Sequence, residues 1–196
     1  DLAGMPFTDR RTGRPLSDLG MGEAKYAIKV ITEEGTRRAV RFACELARRR
    51  KEKGGKGLVT VTSKYNLLRV PDGLFRDVGE EVVMSYPDLE FESLIVDNFA
   101  QQMTMNPHRF DVVVMPNLYG DILSDAGAGT IGGLGMAPSG CYSDDFAYFE
   151  PVHGTAPDIA GQDRINPTAT LLSAIMMLDY LGMEEDARRL EGAIAE

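Results

Sequence analysis

The chain has 196 residues, with 21 Lys and Arg against 30 Asp and Glu, a formal net charge of −9. That acidity argues against a nucleic-acid partner, because no basic face is available to displace phosphate counterions. Hydrophobic residues at 43% and charged residues at 26% are those of an ordinary globular domain, and no apolar run approaches the ~20 residues of a membrane span.

The start, Asp1-Leu2-Ala3-Gly4, has no initiator Met and no basic segment ahead of an apolar one, which predicts no signal peptide and a truncated chain. Gly and Pro scattered to about residue 22 predict loop. Thr32 with Glu33 and Glu34 predicts a helix start, Ala39, Val40, Ala43, Leu46 and Ala47 its apolar face, and Arg48 to Lys51 before Gly54-Gly55 its end. A strand is expected at Leu58 to Thr62, a helix through Leu74, Phe75, Val78 and Val82 closed by Pro87, and a strand from Phe91 to Val96. A short segment around Phe99 and Met103 leads to Phe110 to Met115, apolar enough for a buried parallel strand. The alternation predicts an α/β fold. Asp121 to Ala126 reads as helix, and the glycines from Gly127 to Gly140 break it, placing a lobe boundary near residue 132. Asn166-Pro167 caps an apolar helix through Leu172, Ile175, Met176 and Leu178, and a last amphipathic helix runs from about Glu184 to Ala195.

Two cysteines, Cys44 and Cys141, are too few for a disulfide scaffold, so a reducing, cytoplasmic setting is expected, with each thiol a small buried side chain. Gly127-Ala128-Gly129-Thr130-Ile131-Gly132 spells the dinucleotide fingerprint, but a helix rather than a strand precedes it, so no Rossmann site follows. Asp121 and Asp125, four residues apart, share one helix face. The spacing admits either a solvated acidic face or a seat for Mg²⁺ or Mn²⁺, with Asp97 a third oxygen donor or a helix cap. Lys64 follows a strand's carboxyl end, where it is either a surface charge or a proton carrier. His108 sits in a polar turn. His153 lies in the run Glu150 to Gly161, where Gly154 lets a flat ligand approach the backbone, or where the run is a plain connector.

On the Asn117 to Asp125 run, the Phe149 to Gly161 loop, Asn166-Pro167-Thr168, and Lys64-x-Asn66 followed by Asp72-Gly73-Leu74-Phe75, the sequence resembles the β-decarboxylating dehydrogenases. This family includes isocitrate, 3-isopropylmalate, homoisocitrate and tartrate/malate dehydrogenases. The likeness runs from about Tyr26 to the end. It implies the isocitrate/isopropylmalate dehydrogenase-like two-domain α/β fold with the amino-terminal half of the large domain missing: residues 1–131 form the small, dimer-forming, metal-binding domain and 132–196 the returning part of the large NAD-binding domain. It further implies a homodimer or higher homo-oligomer in which Lys64 and Asp97 serve the neighbouring subunit's site. In that reading Lys64 helps deprotonate the hydroxyl of a 2-hydroxy acid, Lys64 and Asn66 touch substrate, and Asp97, Asp121 and Asp125 hold Mg²⁺ or Mn²⁺. Glu150, His153, Gly154, Thr155, Ala156, Asp158 and Asn166 take the adenosine half of the dinucleotide.

A carboxylate at Asp158 suits two ribose hydroxyls and repels a 2′-phosphate, so NAD is expected where NADP-using relatives carry Lys-Tyr at the positions of Asp158-Ile159. Isocitrate is the favoured substrate, although Ser63-Lys64-Tyr65-Asn66 departs from the His-Lys-Ala-Asn of isocitrate enzymes toward tartrate/malate-type relatives. The family's proton-donating tyrosine has no match between Leu2 and Gly4, Tyr26 stands in another context, and the substrate-gripping arginine cluster belongs to a portion this chain lacks. The isolated chain is therefore expected to be inactive. A non-catalytic subunit is the alternative from another functional class.

Overall fold

A computed structural model describes residues 8–15, 18 and 27–195. The Asp1 to Gly4 flank and Tyr26 lie outside the described residues. The chain divides into two compact units, Asp1–Val30 and Ile31–Glu196. In the first, Thr8 and Pro15 form one antiparallel bridge around a turn in which the Asp9 carboxylate accepts the Thr12 N–H at 2.7 Å.

The second unit opens with helix α1, Glu33–Glu52. Thr32 caps it by accepting the Gly35 N–H at 3.1 Å, two acids sit in its first turn, and Arg49, Arg50 and Lys51 sit in its last. Thr36, Val40, Ala43, Cys44 and Ala47 form its buried stripe; of the expected apolar face Val40, Ala43 and Ala47 are buried, whereas Ala39 and Leu46 are exposed and Thr36 and Cys44 take the inner positions. Strand β1, Leu58–Ser63, follows, then α2, Pro71–Met84, β2, Glu90–Ile95, and α3, Val96–Met105. Val96 thus opens a helix rather than closing a strand. Strand β3 is Val112–Val114.

The three strands form one parallel sheet in the order β2-β1-β3, with Ser63 opposite Ile95 and Val61 opposite Val114. One core joins α1, α2 and the sheet through Val40, Cys44, Val59, Val61, Phe75, Val78, Val82, Val83 and Val112. Helix α2 approaches β1 closely because residue 79 is glycine: a Cβ there would stand 3.0 Å and 3.1 Å from the two Val61 methyls.

Helix α4, Asn117–Thr130, runs on through Gly127 and Gly129, where a break was expected. Its end comes at Gly132 and Gly133, whose φ angles of 113° and 101° suit only glycine. Of the fingerprint-like glycines, Gly127 and Gly129 lie within this helix and Gly132 follows its end. Beyond them stands an unforeseen antiparallel hairpin, β4, Pro138–Tyr142, and β5, Ala147–Pro151. Helix α5, Thr168–Tyr180, packs on the hairpin, and α6, Glu184–Ala195, packs on α5. The Ser173 hydroxyl lies 2.9 Å from the Glu150 carbonyl, and Tyr142, Phe149 and Tyr180 form a ring cluster that Phe42 of α1 joins at 4.6 Å from Tyr142. Cys44 is buried as expected, whereas Cys141, near the exposed end of β4, is exposed. The expected division at 131/132 lies inside the second unit, at the change from parallel sheet to hairpin.

Candidate functional site

Parallel pairing of β1 with β2 brings the carboxyl ends of both strands side by side, where ligand sites of open α/β sheets collect. Lys64 follows β1 directly. Asp97 is the second residue of α3, which begins where β2 stops. The two side chains meet, with Lys64 Nζ 2.9 Å from Asp97 Oδ1. The ammonium and the α3 backbone N–H of Asp97 itself hold this carboxyl below its ordinary value, although the carboxylate is 66% exposed. Asn66 is exposed in the same loop.

The backbone of Lys64 is fixed as firmly as its side chain. Its N–H donates to Asp72 Oδ2 at 2.8 Å, and its carbonyl accepts the N–H groups of Leu67 at 3.0 Å and Leu68 at 2.9 Å. Asp72 is fully buried, and its carbonyl accepts the Ser63 hydroxyl at 3.0 Å. Sequence reasoning treated Asp72 only as one letter of a motif. The usable signal was a carboxylate just after Pro71, where a helix start favours an anion. Tyr65 packs under the Arg76 guanidinium of α2, 4.8 Å from the ring centre.

Asp121 and Asp125 both stand exposed on α4, and the Ser124 hydroxyl donates to the Asp121 carbonyl at 3.1 Å. Among the described residues no three His, Cys, Asp or Glu side chains converge closely enough to hold a metal ion. One chain therefore does not unite Asp97 with Asp121 and Asp125. The donors are nonetheless hard carboxylate oxygens of the type Mg²⁺ and Mn²⁺ prefer, and Asp121 and Asp125, four residues apart on α4, are both exposed.

The Glu150 to Gly161 run leaves β5 and enters a short 3-10 turn at Pro157–Ile159, introduced by Ala156 in the left-handed conformation at φ 46°. His153 Nδ1 lies 2.8 Å from the Gly154 carbonyl, so Nδ1 is the donor in that contact. The ring's Nε2 is shielded from solvent without a hydrogen-bond partner. A Cβ on Gly154 would meet nothing within 4 Å, and Thr155, Ala156 and Asp158 are exposed. Asn166 Oδ1 accepts the Thr168 N–H at 3.0 Å and the Thr168 hydroxyl at 2.6 Å, although the N-cap of α5 is Pro167, one residue later than the expected cap. His108 lies in a 3-10 turn after α3, where its carbonyl accepts from Lys56 Nζ. A groove of about 1090 Å³ between the start of α1 and β4, lined by Arg38, Phe42 and Tyr142 among others, contains none of the expected site residues. No helix among the described residues is long and apolar enough to cross a membrane.

The family model described as isocitrate/isopropylmalate dehydrogenase matches residues 7–196. A 3-isopropylmalate/3-methylmalate dehydrogenase of Methanocaldococcus jannaschii is 50% identical over 170 residues, 87% of this chain and 51% of that protein. An isocitrate/homoisocitrate dehydrogenase of Thermus thermophilus is 50% identical over 172 residues, 88% of this chain and 50% of that protein. The crystal structure of isocitrate dehydrogenase from Methylococcus capsulatus superposes with a TM-score of 0.81 at 42% identity, covering 98% of this chain and 53% of the other. The chain thus spans about half the length of the relatives it matches.

Proposed function

Because the chain belongs to the isocitrate/isopropylmalate dehydrogenase family, we propose that it supplies the metal-binding and adenosine-binding half of an NAD-dependent, Mg²⁺- or Mn²⁺-dependent enzyme that oxidatively decarboxylates a 2-hydroxy acid. Isocitrate is the favoured substrate, with 3-isopropylmalate, homoisocitrate and tartrate or malate the alternatives. The observation that carries this reading is the Lys64–Asp97 pair at 2.9 Å, set at the carboxyl ends of two adjacent parallel strands.

In this reading Lys64 takes the proton of the substrate hydroxyl. Its Nζ is engaged by Asp97, and that pair must open before the amine can reach a substrate hydroxyl. Asn66, exposed beside it, contacts substrate. Bound NAD supplies the hydride acceptor, and a bound divalent ion supplies the positive charge that polarises the substrate oxygen and steadies the electrons left by departing CO₂. Asp121 and Asp125 would hold that ion, with Asp97 contributed by a second copy. This assignment, supported by the failure of one chain to gather all three, makes the working unit a homodimer or larger. The partnerless Nε2 of His153 suits an amino donor on a purine, Gly154 leaves the backbone open to a flat ring, and exposed Asp158 suits ribose hydroxyls rather than a phosphate. Glu150, Thr155, Ala156 and Asn166 border the same loop. The domain division at 131/132 belongs to the same proposal, supported by the separation of the parallel sheet from the hairpin. The free thiols of Cys44 and Cys141 support a reducing, cytoplasmic setting.

The test is NADH production by the full-length protein with isocitrate, 3-isopropylmalate, homoisocitrate, malate and tartrate, with and without Mg²⁺ or Mn²⁺. Metal-dependent turnover is expected. Metal-independent turnover overturns the mechanism, and no turnover on any of the acids replaces it with a non-catalytic subunit. Lys64→Ala is expected to lower kcat about 10²–10⁴-fold, the range of general acid–base catalysis, while nucleotide affinity is kept.

A further inference from the structure

We propose that Asp72 is the positioning residue for Lys64: its buried carboxylate grips the Lys64 backbone N–H and so aims the ammonium at Asp97. The proposal rests on the reading of Lys64 as the proton carrier. A lysine side chain has four rotatable bonds, and its ammonium can be delivered to one place only if the Cα from which it swings is held still. Around Lys64 the chain has left β1 and no longer has ladder bonds, yet it does not drift. The N–H is taken by Asp72 Oδ2 at 2.8 Å, the carbonyl by the amides of Leu67 and Leu68, and the preceding Ser63 hydroxyl by the Asp72 carbonyl at 3.0 Å.

A fully buried carboxylate is costly unless its oxygens are hydrogen-bonded, and α2 starts after Val70 with no side-chain cap bond, so a serine at position 72 would serve its first turn without that cost. What a serine cannot do is reach the Lys64 amide, because its oxygen stands one bond closer to the backbone. Asp72 therefore does more than begin a helix. It ties the first turn of α2, itself packed into the core through Phe75 and Val78, to the residue that carries the proton.

The experiment uses the chain itself and trace labelling of its lysines with acetic anhydride, quantified by mass spectrometry. The Lys64 amine is engaged by Asp97 at 2.9 Å and so hindered from reacting, and Asp97→Asn sets the rate of a released amine. Asp72→Ser is expected to raise labelling at Lys64 about threefold, the scale of a lost exposed ion pair, with the other lysines unchanged. Asp72→Asn keeps an acceptor oxygen and is expected to leave the labelling as it was, while its weaker acceptor moves the Lys64 amide proton upfield in the NMR spectrum. Unchanged labelling in a folded Asp72→Ser chain overturns the proposal. So does an unmoved Lys64 amide in Asp72→Asn, a reading that decides alone if the serine variant does not fold. Neither measurement needs turnover: their failure leaves the dehydrogenase reading standing, and absent NADH production leaves the Asp72 bond standing.

Discussion

Asp111 offers the sharpest check on the energetics of the fold. It lies just before β3, its side chain is only 2% exposed, and it joins two distant pieces of chain. Oδ1 receives the Arg50 guanidinium at 2.6 Å from the end of α1, and Oδ2 accepts the Gly57 N–H at 2.9 Å from the turn into β1. In Asp111→Ala the Gly57 amide loses its partner in a partly buried place, which costs about 1–3 kcal/mol. The Arg50 head is 53% exposed and recovers water, so its lost pairing adds only about 0–1 kcal/mol. The sum is about 1–4 kcal/mol, and with a urea slope of about 2 kcal/mol/M the unfolding midpoint falls by about 0.5–2 M at neutral pH.

The same substitution carries a pH signature. Burial pushes the Asp111 carboxyl up, but the Arg50 guanidinium and the Gly57 amide outweigh it and hold the group below its ordinary value. A carboxyl whose folded value is lowered stabilises the fold fully above its unfolded value of about 3.9 and loses that contribution as the pH falls through the folded value. Parent and variant midpoints, measured by urea titration followed by circular dichroism, are therefore expected to differ at pH 7 and to converge in acid below the folded value. A gap that stays constant into that acid range, or no gap at neutral pH, refutes the reasoning.

Two further outcomes follow from packing. Gly79→Ala gains about 1 kcal/mol of helix propensity but drives a methyl onto fully buried Val61, an overpacking cost of about 1–3 kcal/mol; it is expected to lower Tm, and less so in a Val61→Ala background. A raised Tm in the unaltered background contradicts the close approach. With a disulfide-exchange reagent at neutral pH, exposed Cys141 is expected to react at once, while Cys44, its thiol pushed up to about 11 by burial with Glu45 and Asp88 adding, waits for unfolding. Two fast thiols per folded chain count against this.

Helix α1 and strand β1 were legible because independent signals agreed there: Thr32, the acidic first turn, the spaced apolar face and the Gly54-Gly55 stop all pointed to one helix. The hairpin was hidden by its own punctuation. Pro138 opens β4, Gly140 sits within it and Pro151 closes β5, residues that read as loop unless a neighbour such as α5 is known to cover the strands. Helix α4 runs past Gly127 where it lies against α3, a tertiary neighbour that the local glycine pattern does not state. Lys64 and Asp97 could each be picked out by residue type and position, but their meeting depends on the register that sets Ser63 beside Ile95, which no local pattern states. The bond from Asp72 was invisible for the same reason, since it crosses the turn between a strand and a helix.

The central place of β1 also orders how the fold breathes. Flanked by β2 and β3, its ladder is committed on both sides, whereas β2 and β3 each have one neighbour in the described sheet. Amides of β1 should therefore be released to deuterium last, near the limit set by global unfolding, and those of the flanking strands earlier. Lys64 hangs from the slowest-opening strand and Asp97 from a helix that follows a flanking one, so fluctuations that part the pair leave the lysine in place and carry the carboxylate away.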